Sequence, residues 1–207
     1  YVDIDIDGSG KVHILYADFG SDGDGYTEVS YTNNVSDTFS APTLLLDGGA
    51  AAYYSSPGIK VDSSGNYHIT YVKRQPDWDE VWYSNSLGAN LASPSMFGAS
   101  SVAIARNGMA LDGDGNVHVV YYSGSTVYYG KIIGGTWNET GAFVTGSQAS
   151  IAVNGSSVYV AYVDGGGYIS YMVDSGSGFS TPGLVGAHNS YANPTIAAGD
   201  SNAHVIF

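Results

Sequence analysis

Ten residues recur along this chain. "DGSGKVHILY" (Asp7 to Tyr16), "DSSGNYHITY" (Asp62 to Tyr71) and "DGDGNVHVVY" (Asp112 to Tyr121) carry the same acid, glycine, histidine and tyrosine at the same places. Two looser copies follow, "VNGSSVYVAY" (Val153 to Tyr162) and "GDSNAHVIF" (Gly199 to Phe207), with Tyr159 in the histidine position of the first and Phe207 in the tyrosine position of the second. A chain that repeats a unit must bury the apolar face of each unit on its neighbours. The repeat therefore limits the fold more than composition does.

From His13 the equivalent positions are His68, His118, Tyr159 and His204, spaced by 55, 50, 41 and 45 residues, the size of one four-stranded propeller blade. Apolar residues alternate on both sides of each turn: Ile4 and Ile6, Ile59 and Val61, Met109 and Leu111, Ile151 and Val153 before it, then Val12, Ile14 and Tyr16 or their equivalents after it. Two half-buried strands joined by an Asp/Gly turn make a hairpin, here strands A and B. A third segment ends in tyrosine at Tyr31, Tyr83, Tyr129 and Tyr171. This is strand C. A fourth opens at Phe39, Leu91, Trp137 and Phe179, with proline three later at Pro42, Pro94 and Pro182 and threonine at Thr140. Proline has no N–H to give a ladder, so strand D belongs at an edge. The expected fold is an all-β propeller of four-stranded antiparallel blades, four full blades and a half. One domain, or part of one, spans 1–207, its repeats falling near 1–50, 51–103, 104–147, 148–192 and 193–207, the last incomplete.

Each C tyrosine stands 8 residues before the opening residue of strand D, whereas the tyrosines of B and C close from 15 residues apart to 8. One turn is held while the opposite one drifts. The held turns read "TNNVSDTF", "SNSLGANL", "GKIIGGTW" and "MVDSGSGF". Their register resembles the Asp box, Ser-x-Asp-x-Gly-x-Thr-Trp, of sialidase-like (BNR repeat) propellers. Ser84 and Gly88, Gly134 with Thr136 and Trp137, Asp174 and Gly176 with Phe179, and Thr38 with Phe39 carry the match. The resemblance implies blades arranged in a ring, Asp-box turns on one face, and a site on the other.

Composition narrows the partners. Six Lys+Arg against 19 Asp+Glu give a charge of −13, which repels phosphate backbones and anionic lipid, so nucleic acid is not expected as a partner. No apolar run is long enough for a helical span, and membrane insertion is not expected. With no cysteine there is neither a disulfide framework nor a thiolate site. The acids are 16 Asp and only 3 Glu, set mostly beside Gly, Ser and Asn, where they serve turns.

Four strand B histidines suggest a metal, but equivalent positions of successive blades lie a blade apart, too far for one ion, and a hydrogen bond to each imidazole is expected instead. The "DGSG" and "DGDG" turns lack the later acid of a calcium loop. Asp22 and Asp24 in "GSDGDG" are the better candidates for a structural calcium; no other cofactor is expected.

If the B-to-C and D-to-A loops share the binding face, it draws on residues 17–27, 47–57, 72–80, 98–107, 163–167 and 186–194. "VKRQPDWDEVW" supplies Lys73, Arg74, Asp77, Trp78, Asp79 and Glu80; "GGAAAYYSS" supplies Tyr53 and Tyr54; Arg106 is the second of only two arginines. Aromatic faces beside acids and an arginine suit a sugar, whose CH groups stack on a ring while its hydroxyls meet forked donors and acceptors. The sialidase resemblance would bring an arginine triad, and two arginines cannot build it. The expectation is a secreted or cell-surface binding module for a glycan or surface polymer. The alternatives are a polysaccharide-active enzyme, either a glycosidase using Asp77 or Asp79 or a lyase using His188 with Tyr191, and a purely structural propeller. Strands A and B of the fifth copy end in "HVIF", and further blades or a partner chain are expected to cover the edge at 203–207.

Overall fold

The computed structural model describes residues 1–19, 27–47, 53–74, 77–86, 95–99, 102–104, 108–187, 193–199 and 202–207; among them there are strands and no helix. The chain divides into two compact units, Tyr1–Val102 and Ala103–Phe207.

The first unit holds two antiparallel four-stranded meanders. One is β1 (Val2–Ile6), β2 (Val12–Phe19), β3 (Thr27–Asn33) and β4 (Thr43–Leu46); the other is β5 (Tyr53–Val61), β6 (Tyr67–Arg74), β7 (Asp79–Asn85) and β8 (Ser95–Ala99). The two-residue β9 (Val102–Ala103) lies at the division. In the second unit, β10 (Met109–Leu111), β11 (Val117–Ser123), β12 (Thr126–Ile133) and the 19-residue β13 (Thr136–Asn154) form a third meander. Past Gly146 the same β13 pairs with β14 (Ser157–Asp164), and β15 (Tyr168–Asp174) and β16 (Gly183–Ala187) complete a fourth. A hairpin of β17 (Thr195–Ala198) and β18 (Ala203–Ile206) follows.

The repeated acid and glycine build the A-to-B turns. Oδ1 of Asp7 accepts from the N–H groups of Ser9 and Lys11, Asp62 from Ser64 and Asn66, and Asp112 from Asp114 and Asn116, all at 2.8–3.0 Å. Gly10, Gly65 and Gly115 sit near φ +80°, which a Cβ would oppose. The carboxylate oxygens that a calcium loop would offer are spent on the turn itself.

Strand D starts later than its aromatic landmark suggests in two of the three sheets where this turn is described. β4 begins immediately after Pro42 and β16 immediately after Pro182, because proline cannot donate to the ladder. Where Thr140 stands instead, β13 pairs with β12 from Thr136 onward, and Thr140 Oγ1 donates to Tyr129 O at 2.8 Å. Leu91 and Pro94 lie outside the described residues.

The cores lie between consecutive sheets. Leu15, Val29 and Tyr31 of the first sheet pack with Ile59, Ile69 and Tyr71 of the second; in the other unit Val120, Val127 and Tyr129 pack with Ile151, Val160, Tyr162 and Met172. Strand A side chains tie the first sheet to the second and the fourth to the hairpin that follows it. Asp3 and Asp5 accept from Ile59 N–H (2.9 Å) and Val61 N–H (2.7 Å), and Ser150 Oγ accepts from Ile196 N–H (3.1 Å). A Cβ on Gly146, where β13 passes between sheets, would lie 2.5 Å from Val163 O and 2.7 Å from the buried Tyr162 ring. Gly146→Ala is expected to cost about 1–3 kcal/mol in urea unfolding, because backbone and a fixed ring cannot yield cheaply. A variant as stable as the parent would show that the bend has slack.

Candidate functional site

The buried histidines are structural. Nδ1 of His13, His68 and His118 lies 2.7, 2.7 and 2.8 Å from the hydroxyl of Tyr31, Tyr83 and Tyr129, the C-strand tyrosine of the same sheet. Nε2 faces the turn carboxylate, at 3.4 Å from Asp7, 3.7 Å from Asp62 and 3.2 Å from Asp112. Burial pushes the His68 and His118 imidazoles below the ordinary histidine range. Burial opposes ionisation of Asp112, yet hydrogen bonds from Lys131 (2.8 Å), Asn116 and His118 hold its carboxyl well below the usual range. A cleft of about 370 Å³ opens beside this group, lined also by Asp114, Ser156, Val153 and Val158. Its central charges, Asp112 and Lys131, already satisfy each other.

The second sheet gathers most of the residues singled out in the sequence. Its register places Tyr53 beside Arg74 and Arg74 beside Asp79, and in the next row Tyr54 beside Lys73 and Lys73 beside Glu80. Cross-strand partners point to the same side of a sheet and adjacent rows to opposite sides, so the two rows present different faces. Tyr53, Arg74 and Asp79 make one row at the B-to-C end of the sheet. Tyr53 is half exposed, and the largely exposed Arg74 brings Nε within 3.7 Å of Asp79 Oδ1. On the other side Tyr54 meets Tyr71 edge-on at 5.4 Å, and Lys73 Nζ stands 5.6 Å from the Trp82 ring centroid. Burial, together with the charge of Asp47, raises the Tyr54 phenol.

Glu80, one of the acids that the sequence places in this cluster, takes a positioning role. Oε1 accepts from Trp78 Nε1 and Oε2 from Trp82 Nε1, both at 2.9 Å. One carboxylate thus fixes two indoles, and Trp78 keeps 48% of its surface exposed. The alternation in "DEVW" is the local signal for that role, since Glu80 and Trp82 must share a side. Asp77 is exposed next to Trp78. Ser84, in the Asp-box register, lies five residues along β7 from Asp79, at the opposite end of that strand. Arg106, Asp22, Asp24, His188 and Tyr191 lie outside the described residues. Among those described, no group of three or more His, Cys, Asp or Glu side chains is placed to hold a metal ion.

No family model and no curated protein matches the sequence. Solved structures do. An ulvan lyase of polysaccharide lyase family PL25 superposes with a TM-score of 0.62 at 12% identity, covering 95% of this chain and 57% of its own. NanB sialidase from Streptococcus pneumoniae gives 0.67 at 10% identity, with 99% and 55% covered. The Aleuria aurantia lectin, solved with Fucα1-6GlcNAc, gives 0.62 at 9% identity, with 99% and 69% covered. The likeness is one of fold. This chain spans little more than half the length of the lyase and of the sialidase.

Proposed function

We propose that the repeated sheets are blades of a sialidase-like β-propeller, four full and one half, and that this chain is an extracellular or cell-surface module that binds a glycan at the B-to-C end of its second blade. The observation that carries this reading is the half-exposed Trp78, its indole N–H fixed by Glu80, at the same B-to-C end of the sheet as the Arg74–Asp79 pair. A ring held in one orientation loses little freedom when a pyranose stacks on it, and the Arg74–Asp79 pair offers a donor fork next to an acceptor. Tyr53 pairs with Arg74 in the same row, Asp77 precedes Trp78, and Tyr54 and Lys73 lie on the Glu80 side of the sheet. The similar structures support a glycan as ligand class, since they include a lectin, a lyase and a sialidase.

Trp78→Ala is expected to weaken binding by at least about tenfold on a glycan array and in titration calorimetry, because truncating a central tryptophan typically costs about 2 kcal/mol or more. Unchanged affinity in the variant, or no binding by the parent to any acidic or neutral glycan at millimolar concentration, would end the proposal. The lyases among the similar structures favour a second reading, a polysaccharide-active enzyme. Release of new reducing ends from polysaccharides abolished by Asp77→Asn or Asp79→Asn, or of unsaturated ends abolished by His188→Ala or Tyr191→Phe, would establish it. Against it, Asp79 is engaged with Arg74, and both oxygens of Glu80 hold indoles.

A further inference from the structure

Cations are scarce in this chain and already engaged. The 207 residues hold six Lys and Arg in all. Among the five that are described, four stand against a carboxylate: Lys11 against Asp37, Lys60 against Asp5, Arg74 against Asp79 and Lys131 against Asp112. The fifth, Lys73, lies over the Trp82 ring and beside Glu80 in the ladder. At the B-to-C end of the second sheet, Lys73 and Arg74 therefore stand among Asp77, Asp79 and Glu80, and the acids are in excess. Asp47 adds to them, near enough to Tyr54 for its charge to help raise the phenol.

The excess surrounds the one ring best placed to stack on a sugar. Trp78 has Asp77 and Asp79 as its chain neighbours, and its indole N–H is held at 2.9 Å by Glu80. Asp77 is exposed. Salt at physiological strength, with a screening length of about 8 Å, leaves the repulsion of such close charges in force. A carboxylate or sulfate on a stacked sugar would turn to Arg74, whose Nε is within 3.7 Å of Asp79 Oδ1. Two anionic groups would then share one guanidinium, with Asp77 close by. A hydroxyl or an ammonium meets the reverse situation, because carboxylate oxygens accept from both, and an ammonium also gains from the face of an indole.

We propose that this site selects by charge. The inference rests on the glycan reading above and narrows it: the ligand is built of neutral or amino sugars, and Asp77, Asp79 and Glu80 turn away uronates and sulfated sugars. Selectivity comes from repulsion built against the wrong partner as well as from contacts to the right one. Arg74 then serves as a donor to sugar hydroxyls, its charge balanced by Asp79, and is not the anchor of a ligand carboxylate.

The test uses the 207-residue chain on an array of neutral, amino, uronate and sulfated glycans that includes three matched pairs: methyl-esterified and de-esterified galacturonan, desulfated and native carrageenan, and chitin and chitosan oligosaccharides. The bound members should be neutral or amino sugars. Each uncharged member that binds should do so at least about tenfold more tightly than its acidic counterpart in about 0.15 M salt, a gap that narrows in about 0.5 M salt. Chitosan should bind no more weakly than chitin. Asp79→Asn removes a repelling charge and releases Arg74 for a charge-assisted bond to an anion, so it should shrink the gap by about fivefold or more. Asp77→Asn, exposed and outside the strand, should shrink it without touching the ladder, and melting curves matched to the parent establish that both variants fold. No binding to any class ends the glycan reading itself, and this inference with it. Acidic members bound equally or preferred, or a gap that both variants leave intact, overturn the charge selection and leave the glycan reading standing.

Discussion

Tyr129→Ala will destabilise the second unit by about 3–5 kcal/mol, the usual result of emptying a large aromatic site in a core, whereas Tyr129→Phe will cost about 1–3 kcal/mol, the penalty for leaving a buried polar partner unsatisfied. The ring is buried among Val120, Val127, Ile151 and Val160 and meets Phe179 edge-on at 5.0 Å. Its hydroxyl lies 2.8 Å from His118 Nδ1. Burial and the nearby charges of Asp174 and Asp112 push the phenol up to about 12, so it stays a neutral hydroxyl throughout the working range. Removing the hydroxyl leaves the volume but takes away the partner of His118 Nδ1, while Nε2 keeps Asp112. The control is Tyr171→Phe: that tyrosine holds the equivalent position in the fourth sheet, is partly exposed, and has Tyr159 where the others have histidine, so the change should stay within about 0.5 kcal/mol. Urea unfolding of all three decides the matter. Equal losses for Tyr129→Phe and Tyr129→Ala would mean that the hydroxyl carries the whole effect; no loss for Tyr129→Phe would remove the His–Tyr pair from the account of stability.

The features legible in the sequence are those whose cause is local. Asp7, Asp62 and Asp112 each tie down N–H groups two and four residues ahead, and Gly10, Gly65 and Gly115 adopt a backbone that other residues resist, so a short window contains both the pattern and its reason. Period-two alternation then gives the strands. What escaped is non-local. Asp3 and Asp5 look like alternating polar residues of an exposed strand, yet they cap N–H groups of Ile59 and Val61, more than fifty residues away. Nothing near Asp3 announces this.

The candidate site divides in the same way. Composition in "VKRQPDWDEVW" marked the region because aromatics, acids and an arginine are crowded there, and the pairing of Tyr53 with Arg74 and of Arg74 with Asp79 depends on the register of three strands. That register is altered by an irregularity between Ser55 and Gly58, where Ser56 takes φ 50°. A bulge shifts which residues lie opposite one another, and a sequence read by alternation alone passes over it. The role of Glu80 was hidden for a related reason: composition places it in the cluster, but its partners are Trp78 and Trp82 on either side, and a carboxylate beside Asp79 reads first as one more surface acid.

Acidification should destabilise the chain in two stages. Burial holds His68 and His118 below the ordinary histidine range, so the folded protein keeps them neutral where the unfolded chain takes up protons. When the unfolded state binds more protons, stability falls as pH falls. The loss therefore begins near the ordinary histidine value of 6.5 and accumulates toward the lowered folded values. The chain carries −13 in formal charge, and relief of self-repulsion would favour the compact state in acid, but exposed carboxylates do not take protons until about pH 4. The interval between the two isolates the imidazoles. Below it the turn carboxylates enter with the same sign. Asp7, whose oxygen accepts first from Lys11 N–H, is held at about 2, and Asp62 and Asp112 are also lowered, by hydrogen bonds that outweigh burial. Each contributes stability that is present above the ordinary value of 3.8 and is lost as pH falls through the folded value. Thermal melts between pH 8 and pH 3 should show a plateau above 7, a decline starting near 6.5 and a steeper one below 4. The double variant His68→Asn, His118→Asn should lose the first decline and keep the second. A melting temperature that holds steady or rises from pH 7 to pH 5 would mean that the buried imidazoles accept protons in the folded state, and the Asp–His–Tyr arrangement would then have to be read as a charged one.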